Sequence, residues 1–420
     1  MNIDNPFSNR KNMSAKPLLG PCDSYQLEPF AYEWAWAMAR AQENNNWAPE
    51  EIAVAPDVAD YKNPAVDPKF KHLFESVMAQ LTTFDIERGD DAAETFLSVF
   101  QPAEIRHFFK RLVWEEGLHT RSYRYVIENL GIPLSIYDTW KTVPAMKERV
   151  EMAQKLSEPV LQTIKRQIEG RPYHEMAIAE KQALLRSLVF WFLIFEGVWF
   201  WVSLLGPIQQ LSRLGFFKGG AEQFSYIARD ESNHIGFGVA LIREFMAQYP
   251  EAITDELLAD IDRDTRRAIE LEHGYISYCF KDGPILGYSI PDHVATTKFF
   301  ANMRLGSVGL PQPFEDAYHA FPWMSEQMEL KKEKNFFETR VTEYQAGGAL
   351  SFDDQEEGSP TEQQNPYATC FTAKPAAEAP PPAAQVEDKQ LVEELFPEED
   401  PYFGRHQQPE WDDPLAGLKR

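Results

Sequence analysis

The chain has 420 residues, of which 44% are hydrophobic and 13% aromatic, and it carries a net charge of −24 at pH 7. This size allows one large domain or two ordinary ones with a packed core. The acidic balance argues against a nucleic-acid-binding protein and against docking on an anionic membrane. The three cysteines lie far apart, which argues against a disulfide framework or a cysteine-based zinc site. The polar amino-terminal stretch lacks the apolar run of a signal peptide, so we predict a cytoplasmic protein.

Six segments with helical patterns follow one another along the chain. Apolar residues recur in them at spacings of three and four, and no strand-like alternation or solenoid repeat interrupts them. Long helices with short connections predict an all-α bundle. Pro102 and Gly131 mark the start and end of the second helix, and Pro159 predicts a break within the third. The six segments are Asp67–Gly89, Gln101–Gly131, Pro144–Gly170, Ser187–Gly206, Ala221–Pro250 and Asp255–Phe280.

The fourth of these segments, Ser187–Gly206, is nearly all apolar and has the length of a bilayer span. Glu196 lies near its middle, where a carboxylate is costly in a membrane, and we find no second span. A helix that is apolar on all sides is also typical of the centre of a large soluble bundle. We therefore predict that this segment is a buried core helix and not a membrane span, and that Glu196 has a functional role.

The composition changes near Ala346. Residues 346–420 are rich in Pro, Ala, Glu and Asp and contain 16 acidic but only 5 basic residues. Such a segment buries too little apolar surface to fold alone. We predict a helical domain over residues 1–345 and a flexible acidic tail over 346–420. The tail is either a solvated linker or a segment that becomes ordered on a partner.

Two Glu-x-x-His pairs stand on separate predicted helices, Glu116 with His119 and Glu231 with His234. Residues three apart share a helix face, so each pair can direct a carboxylate and an imidazole at one point. A single pair is commonly a surface contact, but two pairs on core-type helices are much less expected by chance.

Two further carboxylates, Asp85 and Glu196, lie in apolar surroundings on other helices. Four carboxylates and two histidines on four helices form the ligand set of a carboxylate-bridged di-metal site. Four negative charges balance two divalent cations, whereas without cations they would repel one another in a buried site. Oxygen ligands with imidazoles suit iron or manganese better than zinc.

The stretch WEEGLHTRSY leaves a choice between two glutamates. Glu115 lies four residues before His119, which is also a same-face spacing. The second pair uses a spacing of three and is likewise preceded by an acid, Asp230, so we predict Glu116 as the ligand and Glu115 off the metal face. Tyr123 lies seven residues after Glu116, two helical turns on, and should face the metals.

Taken together, several segments in order resemble the small, radical-generating β subunit of class I ribonucleotide reductase, over about Ser24–Phe352. The resemblance implies a ferritin-like helical bundle with a di-metal carboxylate site. The segments that carry it are NNNWAPEEI, TTFDIERG, EEGLHTRSY, FEGVWFWVS, ARDESNH and NFFETRVTEYQAGG.

This resemblance implies specific roles for the residues at the matching positions. Tyr123 would become a stable tyrosyl radical, and Trp47 and Asp230 would connect His119 to a route for electrons and protons. Tyr344 would relay the radical across a subunit interface. The implied metal ligands are Asp85, Glu116 and His119 for one ion and Glu196, Glu231 and His234 for the other; the implied apolar pocket is formed by Phe200, Leu204 and Ile227.

The implied activity is that of a ribonucleoside-diphosphate reductase subunit in which two metal ions activate O2. Iron is the first expectation, and manganese or a mixed Mn/Fe pair remains open. The family implies a homodimer and a large catalytic subunit as partner, bound through the carboxyl-terminal tail. Here about 75 residues follow Tyr344, so the docking peptide could be Leu391–Phe396, the segment around Trp411 or the very end.

Other readings use the same ligand plan. A di-iron oxidase or hydroxylase would oxidise an organic substrate, but Tyr344 and Trp47 would then have no relay to serve. Iron storage predicts a shorter chain that forms a cage. A purely structural helical protein would leave four buried carboxylates without metal, which is costly.

Overall fold

Helices make up most of the chain that the computed structural model describes, which comprises residues 16–20, 29–87 and 93–324. These residues all belong to one unit of the chain, Met1–Lys334. Within the described ranges the only β feature is an isolated bridge between Ile285 and Tyr288. The all-α prediction is therefore confirmed. The α-helices are α1 Glu33–Asn44, α2 Ala55–Lys62, α3 Pro68–Glu87, α4 Glu94–Val99, α5 Ala103–Leu130, α6 Thr139–Thr142, α7 Pro144–Ile168, α8 Ile178–Leu188, α9 Trp201–Arg213, α10 Lys218–Gln248, α11 Asp255–Cys279 and α12 Ile290–Ser307.

The ends of α5 follow the predicted signals. Pro102 precedes the first residue of the helix, and Gly131 ends it in the left-handed conformation with φ 72°. The amide of Gly131 donates to the carbonyls of Ile127 and Glu128, which satisfies two of the last carbonyls of the helix. Fixed ends matter here because α5 carries Glu116, His119 and Tyr123.

The predicted break at Pro159 is wrong, because α7 runs without interruption through this proline. Proline removes one amide donor and so frees the carbonyl of Lys155, four residues earlier. Pro159 and Lys155 are both exposed, which lets water satisfy that carbonyl, while Leu156 and Val160 are buried and hold the helix against the bundle. Packing on one face therefore outweighs the local penalty on the other.

The apolar segment forms one helical run with α8 and α9, and its middle, Val189–Phe200, is a π-helix. This is the one run in the described residues that is long and apolar enough to span a membrane, and 94% of the window is buried inside the protein. The run is thus a core helix of the bundle. A π-helix is widened by one residue per turn and occurs frequently at functional sites. Glu196 lies within this segment and is buried.

The start of α10 is fixed by an acid from another helix. Asp57 of α2 is fully buried, and its carboxylate accepts hydrogen bonds from the amides of Gly219 at 2.8 Å and Gly220 at 2.6 Å. A Cβ on Gly219 would lie 2.5 Å from the carbonyl oxygen of Ala53, so only glycine fits this approach. The cap sets the position of α10, which bears Glu231 and His234.

Four helical segments surround the centre of the bundle. α5 packs against α3 and α10, and the π segment packs against α10, α11 and α12. These four segments, α3, α5, the π segment and α10, carry the six predicted ligands. The outer helices α11 and α12 shield the π segment from solvent.

A buried ion pair lies behind the π segment. Arg149 and Glu272 are both fully buried, with 2.9 Å between guanidinium nitrogen and carboxylate oxygen. The guanidinium also lies over the rings of Trp199 and Tyr275, at 4.5 and 4.4 Å from the ring centroids. Burial would raise the pKa of Glu272, but the charge of Arg149 and the bond from His293 hold this pKa below its usual value.

We predict that Arg149→Met destabilises the protein by about 3–5 kcal/mol, because it leaves the buried Glu272 carboxylate without its cation. The matched control is Arg267→Met, which removes an exposed arginine paired with Glu148 and should change stability by no more than about 0.5 kcal/mol. Urea unfolding of both variants measures the difference. Equal effects for the two variants would contradict the prediction.

Candidate metal centre

Six buried side chains converge at the centre of the bundle. All of them are at most 2% exposed, and they come from α3, α5, the π segment and α10. Two groups of ligand atoms have the geometry for a metal ion, with all atoms of a group within 4.8 Å of one another. Glu116 belongs to both groups. The groups are Asp85, Glu116 and His119, and Glu116, Glu231 and His234.

The two glutamates of the Glu-x-x-His pairs lie between the two histidines. One Glu116 oxygen is 3.6 Å from Nδ1 of His119 and the other is 3.7 Å from Nδ1 of His234. Glu231 is placed in the same way, at 3.3 Å from Nδ1 of His119 and 3.5 Å from Nδ1 of His234. Each glutamate therefore offers one oxygen to each side of the cluster and would be able to serve both ions of a metal pair.

The remaining two carboxylates lie one on each side. Asp85 is 3.8 Å from Nδ1 of His119, and Glu196 is 3.9 Å from Nδ1 of His234. The first group contains the three residues of one implied ligand triplet, whereas the second contains Glu116 in place of Glu196, so the assignment of the six ligands to two ions stays a prediction. Glu115 is a member of neither group.

The donor set fits a pair of divalent cations. Both oxygens of Asp85, Glu116 and Glu231 and Nδ1 of both histidines are buried and make no hydrogen bond with the described residues. Buried polar atoms almost always have a hydrogen-bond partner. Eight buried oxygen and nitrogen atoms without one, all in the same place, therefore point to a bound cation. Carboxylate oxygens with two imidazoles suit iron and manganese.

The buried charges of the cluster lie close together and shift one another's pKa values. Burial, and then the neighbouring charge of Glu116, raise the pKa of Asp85 well above its usual value. Burial would lower the pKa of His119, but Asp230, Glu116 and Glu231 outweigh this effect and raise it well above its usual value. Burial likewise opposes the shift at His234, whose pKa is raised by Glu115 and Glu231.

These shifts predict that metal binding strengthens as the pH rises. Without a cation, protons are held by His119 and His234 well above the usual histidine pKa, and a metal ion must displace them. The apparent affinity of the chelator-treated protein for Mn(II) should increase roughly tenfold per pH unit for each proton displaced, between pH 6 and pH 8. Calorimetric titration measures this slope, and an affinity independent of pH would contradict the prediction.

The outer nitrogen of His119 faces Asp230, which the sequence placed in an electron route. Nε2 of His119 is 3.4 Å from a carboxylate oxygen of Asp230, and the same oxygen accepts a hydrogen bond from the indole of Trp47 at 2.7 Å. Trp47 is mostly buried and stacks on Tyr226 with 5.5 Å between ring centroids. The structure thus brings Trp47, Asp230 and His119 into one hydrogen-bonded chain.

The outer nitrogen of His234 also has a carboxylate partner, and this residue is Glu115. The sequence had placed Glu115 outside the candidate site. One signal was present in the sequence: Glu115 precedes Glu116 as Asp230 precedes Glu231, so the two acids hold equivalent positions in their motifs.

Tyr123 is fully buried beside the cluster. Burial, and then the charge of the Asp85 carboxylate, raise the pKa of Tyr123 well above its usual value. The hydroxyl makes no hydrogen bond of standard geometry within the described residues. The ring packs against Phe224, with 6.0 Å between ring centroids. The neutral phenol is therefore held out of contact with solvent, next to the ring of Phe224 and to a predicted ligand, Asp85.

The other predicted residues divide into two groups. Phe200 and Ile227 are buried in the core, and Leu204 lies on α9. Tyr344 lies outside the described residues, as does the predicted tail, 346–420. Their predicted roles stay predictions.

The fold and the cluster together define a class of protein: helical bundles whose core holds a carboxylate–histidine centre of the di-metal type. A family model described as "Ribonucleotide reductase, small chain" matches residues 24–322 of this chain. The chain belongs to the ribonucleotide reductase small-chain family.

Relatives of known name are similar over most of this chain. The ribonucleoside-diphosphate reductase subunit beta of Chlamydia pneumoniae is 31% identical over 330 residues, covering 79% of this chain and 92% of that protein. The subunit beta of Haemophilus influenzae is 26% identical over 299 residues, covering 66% and 77%.

Solved structures share the fold. The ribonucleotide reductase R2 subunit from Clostridium botulinum aligns with a TM-score of 0.65 at 22% identity, covering 76% of this chain and 96% of that one. The dimanganese(II)-NrdF of Streptococcus sanguinis aligns with a TM-score of 0.56 at 18% identity, covering 73% and 100%. The predicted ribonucleotide-reductase-like bundle is thereby confirmed.

Proposed function

We propose that this protein generates and stores a tyrosyl radical for a ribonucleoside-diphosphate reductase, with Tyr123 as the radical site. The observation that carries the proposal is the position of Tyr123. Its phenol is fully buried, apolar on one side and next to the Asp85 carboxylate of the ligand cluster on the other.

Six residues would hold the two metal ions. Iron is the proposed metal, with manganese or a mixed Mn/Fe pair as the alternatives that the same donors accept. The bound pair would supply the power to oxidise Tyr123 by activating O2. The ligands are those of the two sides described above: Asp85, Glu116 and His119, and Glu196, Glu231 and His234.

The residues around Tyr123 would prolong the lifetime of its radical. Oxidation of a phenol whose pKa is raised requires the proton to leave with the electron, and the Asp85 carboxylate is the neighbouring acceptor. Phe224 packs against the ring, and the resemblance assigns Phe200 and Ile227 to the same pocket; all three are buried and would exclude water and external reductants. A neutral radical in such surroundings has no partner with which to react.

Trp47, Asp230 and His119 would form the route for electron transfer between the metal centre and the large subunit. The indole donates to Asp230, and Asp230 lies against the outer nitrogen of His119, so an electron moving through Trp47 can be accompanied by a proton shift along the same bonds. Tyr344 would then carry the radical towards a large catalytic subunit. That subunit would hold the nucleotide, and this chain would act in the cytoplasm as a homodimer.

The test is turnover with the large subunit from the same source. The metal-loaded full chain should support ribonucleoside-diphosphate reduction by that subunit, and neither protein should be active alone. A chain truncated after Phe352 should keep its metals and its radical but lose turnover, because the tail would dock the partner. Undiminished turnover of the truncated chain would remove the docking role of 353–420.

Absence of turnover with the full, metal-loaded chain would count against the proposed function itself. If the same chain instead hydroxylated or desaturated added organic substrates in the absence of a large subunit, an oxidase of the same fold would replace the radical subunit.

A further inference from the structure

Glu115 forms a second carboxylate–histidine contact at the cluster. Its side chain is 1% exposed, and one carboxylate oxygen lies 2.9 Å from Nε2 of His234. The other carboxylate oxygen accepts a hydrogen bond from Nε of Arg111 at 2.9 Å. A buried acid that is held on both oxygens has a fixed orientation, which a surface glutamate lacks.

Arg111 is itself anchored. Its guanidinium donates to the carbonyl of Gln42 at 3.1 Å and to the side chain of Asn46 at 2.6 Å, and it lies over the ring of Trp114 at 4.2 Å. The chain of contacts therefore runs from His234 through Glu115 and Arg111 to the end of α1. Each member of this chain is fixed by the next.

Each of the two acids that directly precede a ligand glutamate contacts the outer nitrogen of the histidine on the other helix. Asp230 of α10 faces His119 of α5, and Glu115 of α5 faces His234 of α10. The two contacts brace α5 against α10 on both sides of the cluster. A carboxylate on the outer nitrogen of a metal-binding histidine fixes the ring and leaves the other nitrogen for the metal.

The two contacts end in different groups. The Asp230 contact ends at Trp47, whose indole can lose an electron. The Glu115 contact ends at Arg111, whose guanidinium is a hydrogen-bond donor with a permanent positive charge. The Glu115 side therefore provides orientation and charge at His234.

We propose that Glu115 is a positioning residue for the metal bound by His234, and that Arg111 holds Glu115 in place. The proposal rests on the proposed di-metal centre. In the neutral form that binds metal, the Nε2–H of His234 donates a hydrogen bond to Glu115, and Nδ1 presents its lone pair to the cluster between Glu116 and Glu231. Loss of such an outer partner typically weakens metal binding about 10- to 100-fold.

The experiment titrates the metal-free full chain with Mn(II) alone and follows the free ion by its EPR signal. The wild-type chain should bind two Mn(II) per chain. Glu115→Ala should weaken one of the two binding steps about 10- to 100-fold and leave the other nearly unchanged. Glu115→Gln retains an acceptor for His234 and should restore part of the loss.

The matched control is Glu128→Gln on the same helix. Arg124 and Glu128 have the same four-residue spacing as Arg111 and Glu115, with 2.7 Å between guanidinium and carboxylate, but both are exposed and contact no histidine. Glu128→Gln should bind Mn(II) as the wild type does. Thermal unfolding of the metal-free variants identifies a general loss of stability.

The outcomes separate this inference from the proposed function. A wild-type chain that binds fewer than two Mn(II) would contradict the di-metal centre itself. A wild-type chain with two sites and a Glu115→Ala chain that binds both ions equally tightly would overturn the role of Glu115. Equal weakening of both steps would overturn it as well, because the acid would then support the bundle and not His234.

Discussion

Replacement of Tyr123 by phenylalanine is expected to abolish turnover with the large subunit while leaving two metal ions bound per chain. The phenol is the proposed radical site, and phenylalanine keeps the ring but has no hydroxyl to oxidise. Because the hydroxyl makes no hydrogen bond of standard geometry within the described residues, its removal breaks at most a weak contact with Asp85. Stability should change by less than about 1 kcal/mol. Turnover and metal content are measured on the same preparation.

Tyr275→Phe is the matched control for this experiment. Tyr275 is also fully buried, but its hydroxyl donates to the carbonyl of Ser76 and belongs to neither the cluster nor the Trp47 route. Its replacement should leave turnover intact. Full turnover of the Tyr123→Phe chain, or equal loss in both variants, would refute the special role of Tyr123.

Replacement of Glu116 by alanine is expected to remove both metals. Glu116 offers one oxygen to each side of the cluster, so its loss takes a ligand from both ions at once. The affinity for Mn(II) should fall by more than about 100-fold, beyond the loss typical of an outer partner.

Glu104→Gln is the control that tests whether the loss of any buried glutamate of α5 removes the metals. Glu104 is fully buried and accepts hydrogen bonds from the amides of Ala31 and Tyr32, away from the cluster. This variant should lose stability and keep both metals. Retention of one tight site in Glu116→Ala would show that this glutamate does not bridge.

The ligand set was accessible from the sequence because helix periodicity is local information. A spacing of three residues places Glu116 with His119 and Glu231 with His234 on one face, whatever surrounds them. Asp85 and Glu196 could be added because a carboxylate in an apolar helix needs a partner. The comparison of the two motifs also separated Glu116 from Glu115.

Other features depend on packing that no local pattern records. The helix through Pro159 survives because one face is buried and both Pro159 and Lys155, whose carbonyl is freed, are exposed, which periodicity alone does not reveal. The π-helical geometry of Val189–Phe200 could not be predicted from the sequence. The segment is apolar on all sides, so its hydrophobic pattern does not distinguish a π-helix from an α-helix.

Long-range partners were equally hidden. Glu115 and His234 are 119 residues apart, and Arg149 meets Glu272 from a different helix. Only the folded bundle brings such residues together. The equivalent motif positions of Glu115 and Asp230 gave a hint of the first contact, whereas the second contact had no sequence signal.

The central claim is that this chain converts metal oxidation into a radical on Tyr123. Its most direct test is the EPR spectrum of the full chain, loaded with Fe(II), Mn(II) or both and then exposed to O2, with an activating reductase where manganese is used. We predict a stable radical signal that narrows when the protein contains ring-deuterated tyrosine and that is missing in Tyr123→Phe. No radical under any of these conditions, or a signal that persists in Tyr123→Phe, would contradict the account.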